Sequence, residues 1–211
     1  MQNLIFDIDG TLWNSTPVVA TGWNRAVNEG PIEELKKRVI TDKILQKEFG
    51  KPMDVIADDL FGDIDPDVKA SLLKACCKYE HDALAENTKD LSYEGMKETM
   101  HKLKDKYSLF IVSNCQDGYI ELVMDKNGLT DIIKDYECFG HTGLQKDENI
   151  LLLCKRNNLD LNETVYIGDT LGDYEATKKA GLKFVFCKYG FGSVDTPDYT
   201  INEFKDLLDL F

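Results

Sequence analysis

Residues 4–15 read LIFDIDGTLWNS. The apolar run Leu4-Ile5-Phe6 ends in two aspartates, Asp7 and Asp9, with Ile8 between them and Gly10-Thr11 behind. Leu-Ile-Phe suits a strand covered on both faces. Aspartate is depleted in strands, and neighbouring carboxylates disfavour each other's ionisation. The acids are therefore expected just past the strand, at the carboxyl edge where open α/β sheets bind ligands.

From about Leu91 onward, helix and strand patterns alternate. Residues 93–107 (YEGMKETMHKLKDKY), 118–129 (GYIELVMDKNGL), 149–159 (NILLLCKRNNL) and 173–181 (DYEATKKAG) read as helices, two of them closed by Gly128 and Gly181. Between them lie apolar strands at 108–114 (SLFIVSN), 136–140 (YECFG), 164–170 (TVYIGDT) and 183–190 (KFVFCKYG). INEFKDLLDLF at 201–211 reads as a last helix. Such alternation implies right-handed crossovers and a parallel sheet.

The intervening stretch is helical throughout. PVVATGWNRAVNEG (17–30) places Val18, Trp23, Ala26 and Val27 on one stripe. PIEELKKRVI (31–40), KPMDVIADDLFG (51–62) and the segment from Asp65 to Glu86 each begin at or near a proline, with Asp65 as an N-cap. The acidic FGDIDPD (61–67) reads as a turn between helices. The fold class expected is α/β: a Rossmann-like, three-layer parallel-sheet core of residues 1–13 and 89–211 with an inserted α-helical cap of residues 14–88.

Of the 211 residues, 43% are hydrophobic and 30% charged, an ordinary globular composition. A net charge of −13 repels a phosphate backbone, so no nucleic-acid partner is expected, although a local cationic site can still hold a small anion. Cys76, Cys77, Cys115, Cys138, Cys154 and Cys187 form no C-x-x-C pair and read as buried thiols. No secretory leader pattern or membrane-length apolar run is present, so a reduced, cytoplasmic protein with no membrane partner is expected.

Chemistry collects at the strand tips: Asp7 and Asp9, then Ser113-Asn114, then Asp169 with Asp173 four residues on, and Lys146 ahead of a helix. Taken singly, each has a plainer explanation. DGT makes a good turn, SNCQ a capping box from Ser113 to Gln116, GDTLGD an Asx turn, and Lys146 a solvated lysine. His81, His101 and His141 are scattered and receive no role. Together, several carboxylates at one edge call for a divalent cation, and an all-oxygen donor set favours Mg²⁺ over zinc or copper. A cation with Lys146 and the hydroxyl and amide donors suits an incoming phosphoryl group.

In this order, DIDGT at 7–11, SN at 113–114, Lys146 and GDTLGD at 168–173 resemble the haloacid dehalogenase superfamily. The likeness is to the branch with a helical cap that holds phosphoglycolate phosphatases and β-phosphoglucomutases. KYGFGS at 188–193 is similar to that family's glycine-bearing loop after the fifth strand. The resemblance implies a Mg²⁺-dependent phosphatase of a small phosphorylated metabolite, with the cap closing over the site. Asp7 would be the nucleophile that forms an aspartyl-phosphate, and Asp9 the general acid and base. Ser113 and Asn114 would bind the phosphoryl group, and Lys146 would pair with Asp7 and the transferring oxygens. The metal would sit on Asp7, the Asp9 carbonyl and Asp169, with Asp173 a ligand through water or an orienter of Lys146.

Asp9 argues against haloacid cleavage, which needs no leaving-group acid. A phosphosugar mutase using the same phosphoenzyme is the alternative, and a non-catalytic binding protein a third reading, disfavoured because no motif aspartate is lost. Three features depart from the pattern: Asp147 where relatives carry proline, Asn14 where they often carry aspartate, and the bulky Trp13. Asp147 leaves Lys134 and Lys155 as lesser candidates for the lysine. Trp13 would pack the core–cap hinge or line the substrate pocket. Substrate selectivity would lie around Thr41–Met53. The oligomeric state is left open, and a monomer is compatible with the composition.

Overall fold

The computed structural model describes residues 1–62 and 64–211. The chain forms two compact units, Met1–Asn14 with Leu91–Phe211, and Ser15–Asp90. Strand β1, Asn3–Phe6, is buried along its whole length. It contains the whole apolar run Leu4-Ile5-Phe6 and ends just before Asp7.

The Ser15–Asp90 unit is built from helices α1 (Thr16–Glu29), α2 (Asp42–Glu48), α3 (Met53–Phe61) and α4 (Pro66–Glu86). Asp65 caps α4 as its sequence implies, accepting from the backbone N–H groups of Asp67 and Val68 at 3.0 and 3.2 Å. On α1, Trp23, Ala26 and Val27 are buried and Val18 half-buried. The Trp23 indole N–H donates to the buried Glu80 carboxylate of α4 at 2.6 Å. PIEELKKRVI does not form the expected helix; it makes one 3-10 turn, Leu35–Lys37. Its end is held extended instead. The Asn24 side chain donates to the Ile40 carbonyl at 2.7 Å and accepts from the Ile40 N–H at 2.9 Å, as a strand partner would. The next residue, Thr41, caps α2. The turn expected at 61–67 includes Asp63, which lies outside the described residues.

The other unit carries helices α5 (Met96–Leu103), α6 (Tyr119–Asn127), α7 (Phe139–Thr142), α8 (Lys146–Arg156), α9 (Leu171–Ala180) and α10 (Leu207–Leu210). Its further strands are β2 (Ser108–Ser113), β3 (Ile133–Cys138), β4 (Thr164–Gly168), β5 (Lys183–Cys187) and β6 (Tyr199–Ile201). All pair in parallel, in the order β3-β2-β1-β4-β5-β6. This is the α/β parallel sheet expected. Ile5, Phe110, Val112, Tyr166, Phe184 and Phe186 form one core with Ile150 and Leu153 of α8.

Two local expectations are corrected. Ile201 belongs to β6 rather than to a terminal helix, and three residues are too few to show a periodicity. Ser113 and Gln116 do not form a helix cap, because α6 starts only at Tyr119, after Gly118. Ser113 ends a strand instead. Where the chain leaves this unit and re-enters it, Trp13 pairs antiparallel with Ser92, and the Asn14 N–H donates to the Leu91 carbonyl at 2.9 Å.

Candidate active site

β1 is central, and this brings the strand tips together. Phe6 is the partner of Ile111 on β2 and of Ile167 on β4. Asp7 follows Phe6 directly, Ser113 lies two residues past Ile111, and Asp169 two past Ile167. Three neighbouring strands thus deliver Asp7, Ser113-Asn114 and Asp169 to one edge, and all four residues are buried.

Lys146 opens α8 and is only 4% exposed, so it is not a solvated lysine. Its ammonium donates to Asp7 Oδ1 at 2.8 Å and to Asp173 Oδ1 at 2.5 Å. Lys134 and Lys155 are exposed. Asp147 in place of proline does not disturb the helix start, which is closed by a capping box between Gln145 and Glu148.

Asp173 is used on both oxygens. While Oδ1 holds Lys146, Oδ2 accepts from the Thr170 hydroxyl at 2.7 Å, the Thr170 N–H at 3.0 Å and the Asp169 N–H at 3.2 Å. The GDTLGD segment is therefore a capping box that starts α9 and also aims the lysine.

Asp169 accepts from the Phe191 N–H at 2.6 Å and from the Thr11 hydroxyl at 3.4 Å. Two glycines make room for it. A Cβ at Gly10, whose φ is 85°, would fall 2.1 Å from Asp169 Oδ2. One at Gly190 would fall 2.3 Å from Asp169 Cβ and 2.6 Å from the Gly10 carbonyl oxygen. Gly190→Ala is accordingly expected to push Asp169 aside and weaken divalent-cation binding about 10–100-fold, as displaced supporting groups do. Calorimetric titration with Mg²⁺ would read this, and unchanged affinity would contradict it.

The electrostatics follow from burial. Burial raises Asp7 to about 7, with Lys146 pulling the other way. Burial and the neighbouring Asp173 and Asp7 push Asp169 well above the carboxylate range. Burial works against the charge on Lys146, but Asp173 and Asp7 outweigh it and hold the ammonium well above the ordinary lysine value. The lysine stays charged, and the carboxylates compete for too little positive charge. Asp7, Asp169 and Asp173 each present a carboxylate oxygen within 4.8 Å of the others. Three carboxylates facing one ammonium leave two negative charges unmatched, which a dication would neutralise. The donors are all oxygen, so the residues fit Mg²⁺.

Asp9 stands slightly apart. Its Oδ1 accepts from the Trp13 indole N–H at 3.1 Å and from the Tyr119 hydroxyl at 2.9 Å. The two rings meet edge to face, with centroids 6.1 Å apart. Trp13 thus turns its polar edge inward and is 2% exposed. Sequence reasoning missed Thr11, Thr170, Tyr119 and the Phe191 N–H as parts of the site. The glycines of KYGFGS were the available signal for the Phe191 loop. The hydroxyls of Thr11 and Thr170 stand inside the quoted motifs.

The family model of haloacid dehalogenase-like hydrolases matches residues 4–187. This chain belongs to that family. Among similar proteins, the N-acetylmuramic acid 6-phosphate phosphatase of Pseudomonas putida is 24% identical over 197 residues, covering 90% of this chain and 84% of that one. The phosphoglycolate phosphatase of Nitrosospira multiformis is 26% identical over 219 residues, covering 100% and 88%. A crystal structure from Haemophilus somnus, described as a predicted phosphoglycolate phosphatase, superposes with a TM-score of 0.86 at 21% identity, covering 100% of this chain and 97% of that one. At that identity the superposition establishes the haloacid dehalogenase-like fold. As a haloacid dehalogenase-like hydrolase, the chain is an enzyme, and the cluster around Asp7 is its candidate site.

Proposed function

We propose that this hydrolase cleaves small phosphate monoesters through a phosphorylated Asp7. The observation that carries the reading is the buried Asp7–Lys146–Asp173 chain beside Asp169. The names of the relatives support the class of ester and differ in the ester itself. They favour hydrolysis over phosphosugar transfer, since both are phosphatases.

In the first step the Asp7 carboxylate attacks phosphorus. The bond from phosphorus to the ester oxygen breaks, and that oxygen takes a proton from Asp9. In the second, Asp9 takes a proton from water, which attacks the aspartyl-phosphate and releases inorganic phosphate and free Asp7. Lys146 keeps Asp7 oriented and offers positive charge to the transferring oxygens. Ser113 and Asn114 bind those oxygens from the neighbouring strand. Asp7, Asp169 and the Asp9 carbonyl would hold Mg²⁺, which when bound supplies charge neutralisation for the phosphoryl group. Asp173, with both oxygens engaged, is assigned to aiming Lys146. Substrate selectivity is assigned to the helical unit, which supplies none of these side chains.

Phosphate release tests the reading. With Mg²⁺, at least one ester among p-nitrophenyl phosphate, 2-phosphoglycolate and N-acetylmuramic acid 6-phosphate should be hydrolysed, and EDTA should abolish release. Silence on a broad panel of phosphate esters would overturn it.

A second measurement follows from the Asp7 carboxyl. Folding raises it from 3.8 to about 7, so the folded state binds that proton more tightly than the unfolded state does. Its contribution to stability is complete below about 3.8 and is lost as pH rises through about 7. A dication takes the place of this proton. Mg²⁺ should therefore raise Tm more at pH 8 than at pH 5.5, with apparent affinity falling about tenfold per pH unit on the acid side. Equal shifts at both pH values would contradict the assignment.

A further inference from the structure

We propose that Trp13 and Tyr119 are positioning residues that fix the Asp9 carboxyl and assign its transferable proton to Oδ2. The inference rests on the phosphatase reading above and extends it to groups that never touch the ester.

Both donors converge on one atom. The Trp13 indole N–H reaches Asp9 Oδ1 at 3.1 Å, and the Tyr119 hydroxyl reaches the same oxygen at 2.9 Å. An indole N–H can only donate. A proton on Oδ1 would clash with that N–H or force the Tyr119 hydroxyl to turn from donor to acceptor, so keeping both bonds places the neutral carboxyl's proton on the other oxygen. Two bonds on one oxygen, from two directions, also stop the carboxyl from rotating about its last torsion. That torsion is broad and soft when nothing holds it.

The clamp itself is rigid. Trp13 and Tyr119 are 2% and 1% exposed, and each ring braces the other. The Trp13 backbone is held in turn: its carbonyl accepts from Gly10 N–H at 2.9 Å, and its strand-like bridge to Ser92 closes the other side. Tyr119 opens α6, 110 residues along the chain from Asp9. Apolar burial alone does not call for the polar atoms: phenylalanine would fill the Tyr119 place and most of the Trp13 place. The indole nitrogen and the phenol oxygen are what phenylalanine lacks. Acid catalysis depends on aiming a proton at the leaving oxygen, and misplacement of about 1 Å can cost on the order of 100-fold.

The test compares leaving groups. An alkoxide needs the proton from Asp9 as it departs, whereas p-nitrophenolate departs without one. The ratio kcat/KM covers every step through departure of the leaving group. It should be measured for p-nitrophenyl phosphate and for the best alkyl phosphate of the panel, in wild type, Trp13→Phe, Tyr119→Phe and the double variant. The alkyl-to-aryl ratio is expected to fall about fivefold or more in the double variant. A purely structural role would lower both esters together, so any smaller fall in the ratio overturns the inference, whatever happens to Tm. Tyr119→Phe removes one oxygen atom and, by the same ratio with a twofold threshold, decides the matter if Trp13→Phe does not fold. A wild type that hydrolyses neither ester overturns the phosphatase reading and this inference with it. Hydrolysis of both with an unchanged ratio in the variants overturns this inference alone.

Discussion

Asp7→Asn is expected to lower turnover about 10⁴-fold or more while leaving the fold intact. An amide of the same shape can still accept from the Lys146 ammonium, which lies 2.8 Å from Asp7 Oδ1. It cannot attack phosphorus, and loss of a nucleophile typically removes nearly all the chemistry. Stability should move the other way. Burial holds Asp7 up at about 7, so at pH 8 the metal-free protein keeps an ionised carboxylate that folding disfavours. Asparagine carries no such charge, and the variant in EDTA should melt no lower than wild type at pH 8. It should also lose most of the Mg²⁺-dependent rise in Tm. Turnover above about 1% of wild type would remove Asp7 from the role of nucleophile.

Lys146→Met should be the most destabilising single change in the site. Methionine fits the volume but leaves Asp7 and Asp173 facing each other, both buried, without the ammonium that joins them. Breaking a buried pair by removing one partner costs about 3–5 kcal/mol. For a chain of this size, that lowers Tm by about 6–20 °C. The loss should shrink at pH 5.5, where Asp7 takes up a proton and the repulsion falls. Turnover should drop by about 10²–10³-fold, as when one preorganised donor is removed from a transition state. Arginine should not rescue it, because its planar fork does not fit between two carboxylates set for a compact ammonium. A melting curve in EDTA at pH 8 reads the first effect; no fall in Tm would show that the triad is not the anchor described.

The sheet was legible because its central strands are buried on both faces and read as unbroken apolar runs. Leu4-Ile5-Phe6, Leu109-Phe110-Ile111-Val112 and Val165-Tyr166-Ile167 are of this kind. The candidate site could be read from the same runs: Asp7 and Asp169 each end one, and although either alone could serve a turn, their place together at one sheet edge pointed to a site. What stayed hidden depends on contacts far apart in sequence. Nothing near Ile40 says that Asn24 will bind its backbone and stop a helix with good apolar spacing. The three residues of β6 matter only because β5 is beside them. Lys146 looks like any surface lysine until Asp7 and Asp173 surround it. Trp13 read as a hinge-packing or pocket-lining ring and Tyr119 as one residue of a helix, and only the folded chain shows where the N–H and O–H point.

The middle place of β1 in the sheet also sets a timetable. Asn3 pairs with Ser108 on one side and with Thr164 on the other. A ribosome adds about 5–20 residues per second, so the strand waits roughly 5–20 s for its first neighbour and about 8–30 s for its second. The helical unit, by contrast, makes its contacts within one uninterrupted segment, Ser15–Asp90, and can form during that wait. The strand that leads into Asp7 thus leaves the ribosome well before either of the strands it must pair with. Mutations that slow the docking of β1 would therefore show first as poor yield of folded protein during synthesis, before any change in the equilibrium stability of the finished enzyme.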